Sequence, residues 1–436
     1  MRRLYRRLSR PAALIALFGL VLGLPTACTN PKTGGKIILR VASWGGAADD
    51  DQYTRTVREL RKEFERQNPG VEIREEGIPG PGEYVKKLLL SFVAGTEPDI
   101  ITLDASSAAV FINNGVLLDL SVLIASDREF NESDYWPNVF EIAKRGHRVF
   151  AIPGDFTPIV MYYNKRLFDE AGVSYPKPGW TYGDFVETAK ALTKPGQFGF
   201  KFVNWMPGWI TWIWNSGGDV LDASGNSSVG YFDSPKSIEA ISFLRDLINV
   251  HRVAPSLSQA AASGVDLFTN GQAAMEVSGH WAMIGYKSAP TGPDGKPKLR
   301  IEDVGVVQLP TNTNSSTTVM YEAGYAIGKN CKQKELAWKY IKFMTSYAVQ
   351  KRYNATGIAV SARIDVATEH ANNERERAFI KIIPSARPPW GASVEGYENV
   401  ERVGESAMNA ILGSNAEVSA ALKDAASKVE KDFKRR

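Results

Sequence analysis

Four of the ten tryptophans of this 436-residue chain lie in one short stretch, residues 204–215. If that stretch is helical, Trp205, Trp209 and Trp212 fall at positions i, i+4 and i+7 and share one face. An aromatic ring can cover the flat C–H face of a sugar while polar neighbours bind its hydroxyls. Core burial is the commoner role of an aromatic stripe. We nevertheless expect at least one of the three rings to face a ligand, and the sequence does not decide whether the other two belong to the core.

Glycines and a carboxylate follow two of the predicted strands. Trp44, Gly45 and Gly46 come after the first strand, and Asp104 ends the third. Ligands of open α/β sheets gather beyond the carboxyl ends of the strands, which makes these residues candidate ligand contacts. A carboxylate is a strong acceptor for paired hydroxyls. Asp104 fits equally well as the cap of a helix-like run that begins at Ser106, and the sequence does not decide between the two roles.

The motifs of common enzymes and metal sites are missing from the sequence. It contains neither Gly-x-Ser-x-Gly nor His-Glu-x-x-His, and it has only four histidines and two cysteines. We therefore expect a protein that is not an enzyme, with no metal and no cofactor. Two other classes remain open. A secreted glycoside hydrolase would need two carboxyl groups ~5 to 9.5 Å apart, and an adhesive or structural lipoprotein would not be stabilised by any small molecule.

The first residues carry the features of an export signal. Five arginines precede residue 11, and no acidic residue occurs before Asp49. The apolar run from Ala12 to Leu24 is shorter than the ~20 residues that span a bilayer, and a small-residue cleavage site follows it. We expect residues 1–27 to be a signal peptide.

Residues 24–28, Leu-Pro-Thr-Ala-Cys, resemble the site at which bacterial lipoproteins are cleaved and acylated, although Pro25 stands where an aliphatic residue is preferred. We expect lipid on Cys28 and a polar tether over residues 28–36, which would hold the protein to a membrane in the periplasm or on the outer face of the cell. Cys331 is then unpaired and is expected to be a small buried hydrophobic residue.

The charge of the mature chain excludes one class of partner. Removing residues 1–27 takes away five of the 52 basic residues and none of the 48 acidic ones, so the formal charge falls from +4 to about −1. A nearly neutral surface of mixed charges gives no electrostatic reason to expect nucleic acid as a partner.

The length of the chain predicts two domains, because roughly 400 residues exceed what one core usually organises. Hydrophobic periodicity predicts an α/β fold. The first elements follow the order β-α-β-α-β, over residues 37–41, 53–64, 71–75, 84–93 and 99–104. This order predicts a mainly parallel sheet covered by helices. A second α/β lobe begins after Gly154 with a strand over residues 159–163.

Local signals mark several later elements. Thr181 with Asp184 forms a capping box, and Ser234 before Pro235 marks another helix start. Residues 290–298 read as an exposed loop, and residues 417–433 as an amphipathic helix.

Seven different short sequence motifs follow one another along the chain. They lie at residues 43–46, 97–100, 152–153, 161–168, 279–282, 324–327 and 335–341. Together they resemble the extracellular solute-binding proteins of ABC importers, in particular the sugar-binding group typified by maltose-binding protein. The resemblance implies a two-lobed, hinged, periplasmic-binding-protein-like α/β fold with a ligand cleft between the lobes. It also implies a monomer that delivers its ligand to the membrane permease.

The same resemblance implies hinge crossings near Gly154, Glu322 and Gly357. The first lobe would then comprise residues 37–153 and 323–356, and the second lobe residues 154–322 and 357–436. Further ligand contacts are implied at the hinges, at a strand-to-helix turn and on a late aromatic wall, with one lower-ranked arginine. These residues are Asp155, Phe156, Gly279, His280, Trp281, Glu322, Gly324, Trp390, Tyr397 and Arg363.

The residue types favour a neutral sugar or oligosaccharide as the ligand, because many tryptophans accompany isolated carboxylates. The alternative is a charged relative such as a glycerol phosphodiester, which would require Arg or Lys in the cleft. Few basic residues lie in the segments named.

Overall fold

The structure is a computed structural model that describes residues 35–44, 51–78 and 80–435. The signal peptide, Cys28 and most of the tether, together with Gly45 and Gly46, lie outside the described residues, so the predictions on them stay predictions. None of the helices in the described part of the chain is long and apolar enough to cross a membrane.

The strands are β1 Ile37–Ser43, β2 Val71–Gly77, β3 Ile100–Asp104, β4 Lys144–Arg145, β5 Arg148–Val149, β6 Ile152–Pro158, β7 Val160–Asn164, β8 Met275–Ser278, β9 Val304–Val307, β10 Thr318–Ile327, β11 Val360–Ser361 and β12 Ala386–Arg387. The α-helices are α1 Gln52–Gln67, α2 Pro81–Ala94, α3 Ala108–Asn113, α4 Ser121–Ser126, α5 Pro137–Phe140, α6 Lys165–Ala171, α7 Tyr182–Ala191, α8 Met206–Asn215, α9 Pro235–Asn249, α10 Leu257–Ala262, α11 Ala282–Lys287, α12 Lys334–Met344, α13 Tyr347–Asn354, α14 Ile364–His370, α15 Glu374–Ile382, α16 Tyr397–Ser414 and α17 Val418–Phe433.

The larger sheet has the strand order β11-β6-β10-β3-β1-β2, with β12 beside β10. The strands β1, β2 and β3 are parallel, as their helical crossovers predict. By contrast, β10 runs antiparallel to both β3 and β6. The expectation of a mainly parallel sheet is therefore correct for its first three strands. Beyond them the sheet is mixed, because β10 is antiparallel to β3 and β6 while β12 is parallel to β10.

The smaller sheet has the order β8-β7-β9, and both of its pairings are antiparallel. Ile159 alone separates β6 in the larger sheet from β7 in the smaller one, so the chain passes between the sheets at this residue. Strand β6 was not predicted from the sequence because Pro153 and Pro158 lie within it, and proline donates no ladder hydrogen bond.

Helix starts with local capping signals are confirmed. The capping box of Thr181 and Asp184 is present at α7, and Ser234 caps α9 by accepting a hydrogen bond from the Ser237 amide. The C-terminal helix α17 buries the predicted apolar face. Cys331 is buried and unpaired, as expected.

Candidate ligand-binding site

Two carboxylate residues lie at the same register position of the larger sheet. Asp104, at the end of β3, stands opposite Ala323 of β10, and Asp155 of β6 stands opposite the same residue from the other side. Residues directly opposite on neighbouring strands share a face of the sheet, and strands are about 4.8 Å apart. The two backbones are thus roughly 10 Å apart, and both side chains project from one face.

Asp104 fills the capping role that the sequence left open. Its carboxylate accepts hydrogen bonds from the amide of Ser106, at 2.8 Å, and from the Ser106 hydroxyl, and so caps a short 3₁₀ helix over Ala105–Ser107. Burial nevertheless raises the pKa of Asp104 above its ordinary value. The cap occupies one oxygen and leaves the ligand-binding prediction for Asp104 untested.

The carboxylate of Asp155 has a single hydrogen-bond partner in the described chain, the hydroxyl of Tyr353, which donates to it over 2.7 Å. Burial, reinforced by the charge of Asp104, raises the pKa of Asp155 to about 7, although the Tyr353 hydrogen bond acts in the opposite direction. Tyr353 is itself held edge-on against Tyr53, with ring centroids 5.5 Å apart. This carboxyl group is therefore poised to gain or lose a proton near neutral pH.

Glu322, on β10, is 2% exposed, and neither of its carboxylate oxygens has a hydrogen-bond partner among the described residues. Burial raises its pKa well above the ordinary value, with added repulsion from Asp155 and Asp104. The neighbouring Gly324 is required by this arrangement, because a Cβ there would lie 2.5 Å from Glu322 Oε1. Both residues adjoin the register shift of β10 against β6.

Helix α16 brings two further polar groups to this region. Burial raises the pKa of Glu401 to about 8, and the carboxylates of Asp104, Glu405 and Glu398 reinforce the shift. Tyr397 is 1% exposed, and its hydroxyl has no hydrogen-bond partner among the described residues. Glu401 was missed by the sequence analysis, yet it lies four residues after Tyr397, the spacing that places two residues on one helical face.

Three half-buried aromatic rings form a chain of contacts that begins at Tyr321, beside these carboxylates. Tyr321 of β10 has its pKa raised by burial and by the charges of Glu401 and Asp104. Its ring centroid is 6.4 Å from that of Trp281, which is 5.7 Å from that of Trp205. Tyr321 was also missed, because nothing in a single β-strand distinguishes a ligand-facing tyrosine from a core one.

Of the tryptophan stripe, Trp209 and Trp212 lie in the core. Both are 0% exposed. Trp209 stacks on Phe232 with ring centroids 5.7 Å apart, and Trp212 packs among the rings of Tyr182 and Phe185. Only Trp205, which precedes α8, is half-buried, so the prediction of a ligand-facing ring stays a prediction for this residue alone.

Trp390 belongs to a fixed polar arrangement around Asp219. The indole Nε1 atoms of Trp390 and Trp214 donate to Asp219 over 2.8 and 2.9 Å. Arg387 pairs with the same carboxylate at 3.0 Å and lies 4.0 Å from the centroid of the Trp214 ring. This network fixes the orientation of Trp390, one residue of the predicted late aromatic wall.

The other predicted contacts have structural partners. His280 is fully buried, with its ring nitrogens 2.9 Å from Gly357 O and from Glu376 Oε2. Gly279 leaves room for the Trp281 ring, which a Cβ would approach to 2.4 Å. Arg363 pairs with Asp134 and Asp365. The two remaining predicted ligand-binding residues are Phe156, which is 0% exposed in the core, and Trp44, whose ring lies edge-on to that of Tyr84.

A cavity of about 210 Å³ lies elsewhere, lined by Lys201, Phe202, Val203, Asn204, Leu257, Ala260, Val265, Asp266 and Leu267. The ammonium of Lys201 is already paired with Asp266 and Glu276. No group of His, Cys, Asp and Glu side chains suited to a metal ion occurs in the described residues. The carboxylates and rings beside β10 are therefore the stronger candidate site for a polar ligand.

Comparison with known proteins identifies the family to which the chain belongs. The family model for bacterial extracellular solute-binding proteins matches residues 48–351. A Brucella abortus protein described as a binding protein is 25% identical over 433 residues, covering 96% of this chain and 98% of its own. The multiple sugar-binding protein of Streptococcus mutans is 23% identical over 380 residues, covering 80% and 82%.

Among solved structures, an ABC substrate-binding protein from Listeria monocytogenes in complex with cycloalternan has a TM-score of 0.79 at 24% identity, covering 91% of this chain and 99% of its own. This likeness confirms the predicted two-lobed fold. The lobe boundaries and the individual ligand contacts stay predictions. With a family model that spans more than half of its residues, the chain belongs to the bacterial extracellular solute-binding proteins.

Proposed function

We propose that this protein is the binding component of an ABC importer, and that it captures a sugar or oligosaccharide outside the cytoplasmic membrane and delivers it to the permease. The observation that carries the proposal is the combination of carboxylates with half-buried rings on one side of β10, formed by Asp104, Asp155, Glu401, Tyr321 and Trp281. Carboxylates accept hydrogen bonds from sugar hydroxyls, and rings cover the C–H faces.

The proposed mode of action uses the predicted lobes. Ligand bound between the two lobes would hold them closed, and the closed form would be presented to the permease. The first lobe comprises residues 37–153 and 323–356, and the second comprises residues 154–322 and 357–436. The protein would act as a monomer, tethered to the membrane by lipid on Cys28. The relative that is named as a multiple sugar-binding protein supports the sugar assignment.

The charges near the site favour a sugar over a glycerol phosphodiester. A phosphate would need a free cation, and Arg387, whose charge acts on Tyr397, is already paired with Asp219. We also propose that the protein is not a hydrolase, in keeping with a family of binding proteins.

The proposal is tested by a thermal-shift screen of the purified protein against mono- and oligosaccharides, glycerol phosphates, amino acids and peptides. A ligand at 100 times its dissociation constant should add about 2.7 kcal/mol to the free energy of unfolding. Each hit is then measured by calorimetric titration with Trp281→Ala and Asp104→Asn.

We expect a sugar to bind, without being cleaved, and both variants to weaken it by about tenfold or more. The matched control is Glu187→Gln, whose side chain is 74% exposed on α7 and which should bind as the parent does. Binding of phosphates alone, of amino acids alone, or of nothing in the panel would contradict the proposal, as would turnover of a glycoside.

A further inference from the structure

One face of the larger sheet is partly uncovered where its central strands meet. Along β10 half-buried and buried residues alternate, so that Tyr321, Ala323 and Tyr325 project from one face and their buried neighbours from the other. The same alternation occurs on β3, where Thr102 and Asp104 are half-buried. Central strands of an α/β sheet are usually covered by other elements on both faces. Solvent therefore reaches this part of the sheet from one side.

Ala323 lies at the centre of the uncovered face. Its partners on the two neighbouring strands are Asp104 and Asp155, and Tyr321 and Tyr325 lie two residues away along its own strand. Strands are about 4.8 Å apart and rise about 3.4 Å per residue, so these four residues frame an area roughly 10 Å wide and 14 Å long between backbones. At the centre of this frame the sheet carries only the half-buried methyl group of Ala323.

The two carboxyl groups beside Ala323 each keep one oxygen for a further partner. Asp104 accepts its hydrogen bonds from Ser106 through Oδ1, and Asp155 accepts its hydrogen bond from Tyr353 through Oδ2. Within the described chain, the second oxygen of each group has no hydrogen-bond partner. A carboxyl group retains acceptor capacity whether it is ionised or protonated. Two acceptors thus lie on opposite sides of the methyl group.

We infer that Ala323 determines the specificity of the site, because one ring of the bound sugar lies over its methyl group and directs hydroxyls at its two edges to Asp104 and Asp155. The methyl group contacts the C–H face of the sugar ring, and Tyr321 and Tyr325 limit the space at either end. A side chain larger than alanine would occupy the volume that the sugar ring needs. This inference rests on the proposed function and deepens it by naming the residue that limits the size of the bound group.

The test compares side chains of different size at this position. Ala323→Val enlarges the side chain and should fold, because valine is favoured in β-strands, whereas Ala323→Ser changes its volume little. The control is Ala260→Val, the same substitution beside the separate cavity of about 210 Å³. Each purified protein is titrated calorimetrically with the tightest-binding sugar of the screen, and its urea midpoint is measured in parallel.

We expect Ala323→Val to bind the sugar about tenfold or more weakly than the parent, without a lower urea midpoint. Ala323→Ser and Ala260→Val should bind as the parent does. Parent-like affinity in Ala323→Val, or an equal loss in Ala260→Val, overturns the inference and leaves the sugar-binding proposal standing. A parent protein that binds no sugar contradicts the proposed function itself.

A second measurement decides the question if Ala323→Val is destabilised. Ala323→Cys places a small thiol at the same position, while the native Cys331 is buried. The rate at which a thiol reagent modifies the introduced group, taken as the excess over the parent, should fall about tenfold at a sugar concentration of ~10 times the dissociation constant. A rate that sugar leaves unchanged, or a thiol that the reagent does not reach in the absence of sugar, overturns the inference.

Discussion

Replacing Glu401 by glutamine should stabilise the unliganded protein, and the gain should grow with pH. Glutamine keeps the shape of the side chain and stays neutral at every pH, so it mimics the protonated acid. Burial and the neighbouring carboxylates raise the pKa of Glu401 from 4.5 to about 8 in the folded protein. An acid whose pKa is raised by folding contributes stability that is present below the unfolded-state pKa and is lost as the pH rises to the folded-state pKa.

The size of the stability difference between the parent and Glu401→Gln follows from the difference between the unfolded-state and folded-state pKa values. Each pH unit between the two pKa values costs the parent about 1.4 kcal/mol relative to the variant. At pH 7 the difference should reach about 3 kcal/mol, and it should vanish at acidic pH where both side chains are neutral. Glu401 is only partly exposed, so solvent screening lowers this figure modestly.

Urea denaturation of the two proteins across this pH range measures the difference, with the midpoint compared at a constant denaturant slope. Glu187→Gln serves as the control, since an exposed charge should change stability by roughly 0.5 kcal/mol or less. Equal midpoints for the parent and Glu401→Gln at pH 7, or a difference that does not depend on pH, would refute the view that this carboxylate is held uncompensated. A stabilised variant that binds ligand less well would fit a residue selected for binding.

Three further outcomes are expected. Tyr353→Phe removes the hydrogen bond that lowers the pKa of Asp155, so a carboxyl NMR titration should place that pKa above about 7; an unchanged or lower value would contradict the assignment. Gly324→Ala should lower the free energy of unfolding by about 1–3 kcal/mol because its Cβ has no room, whereas Gly285→Ala, in open space on α11, should not; equal urea midpoints for the two would count against the geometry. Trp209→Ala should cost about 3–5 kcal/mol as a core truncation, and a loss below about 1 kcal/mol would show that this ring is not in the core.

The sequence predicted those features that local chemistry decides. The capping box of Thr181 and the cap at Ser234 appear as expected because each cap depends on residues within three positions. The resemblance to solute-binding proteins supplied the two-lobed fold, which periodicity alone did not.

Features set by tertiary packing were less accessible to the sequence. The face on which Trp209 and Trp212 are buried depends on Phe232 and Tyr182, which lie 20 or more residues away in the chain. Glu401 is an ordinary acidic residue on an amphipathic helix until α16 brings it near Asp104. A buried carboxylate has no sequence signature of its own, since its burial is a property of the elements around it.

The most direct test of the binding account is a crystal structure of the protein with the tightest-binding sugar from the screen. We predict that the sugar lies beside β10, with its polar groups within hydrogen-bond distance of Asp104 and Glu401 and one face against Trp281 or Tyr321. A sugar found instead in the cavity beside Lys201 and Leu257, or anywhere out of reach of these carboxylates, would contradict the account.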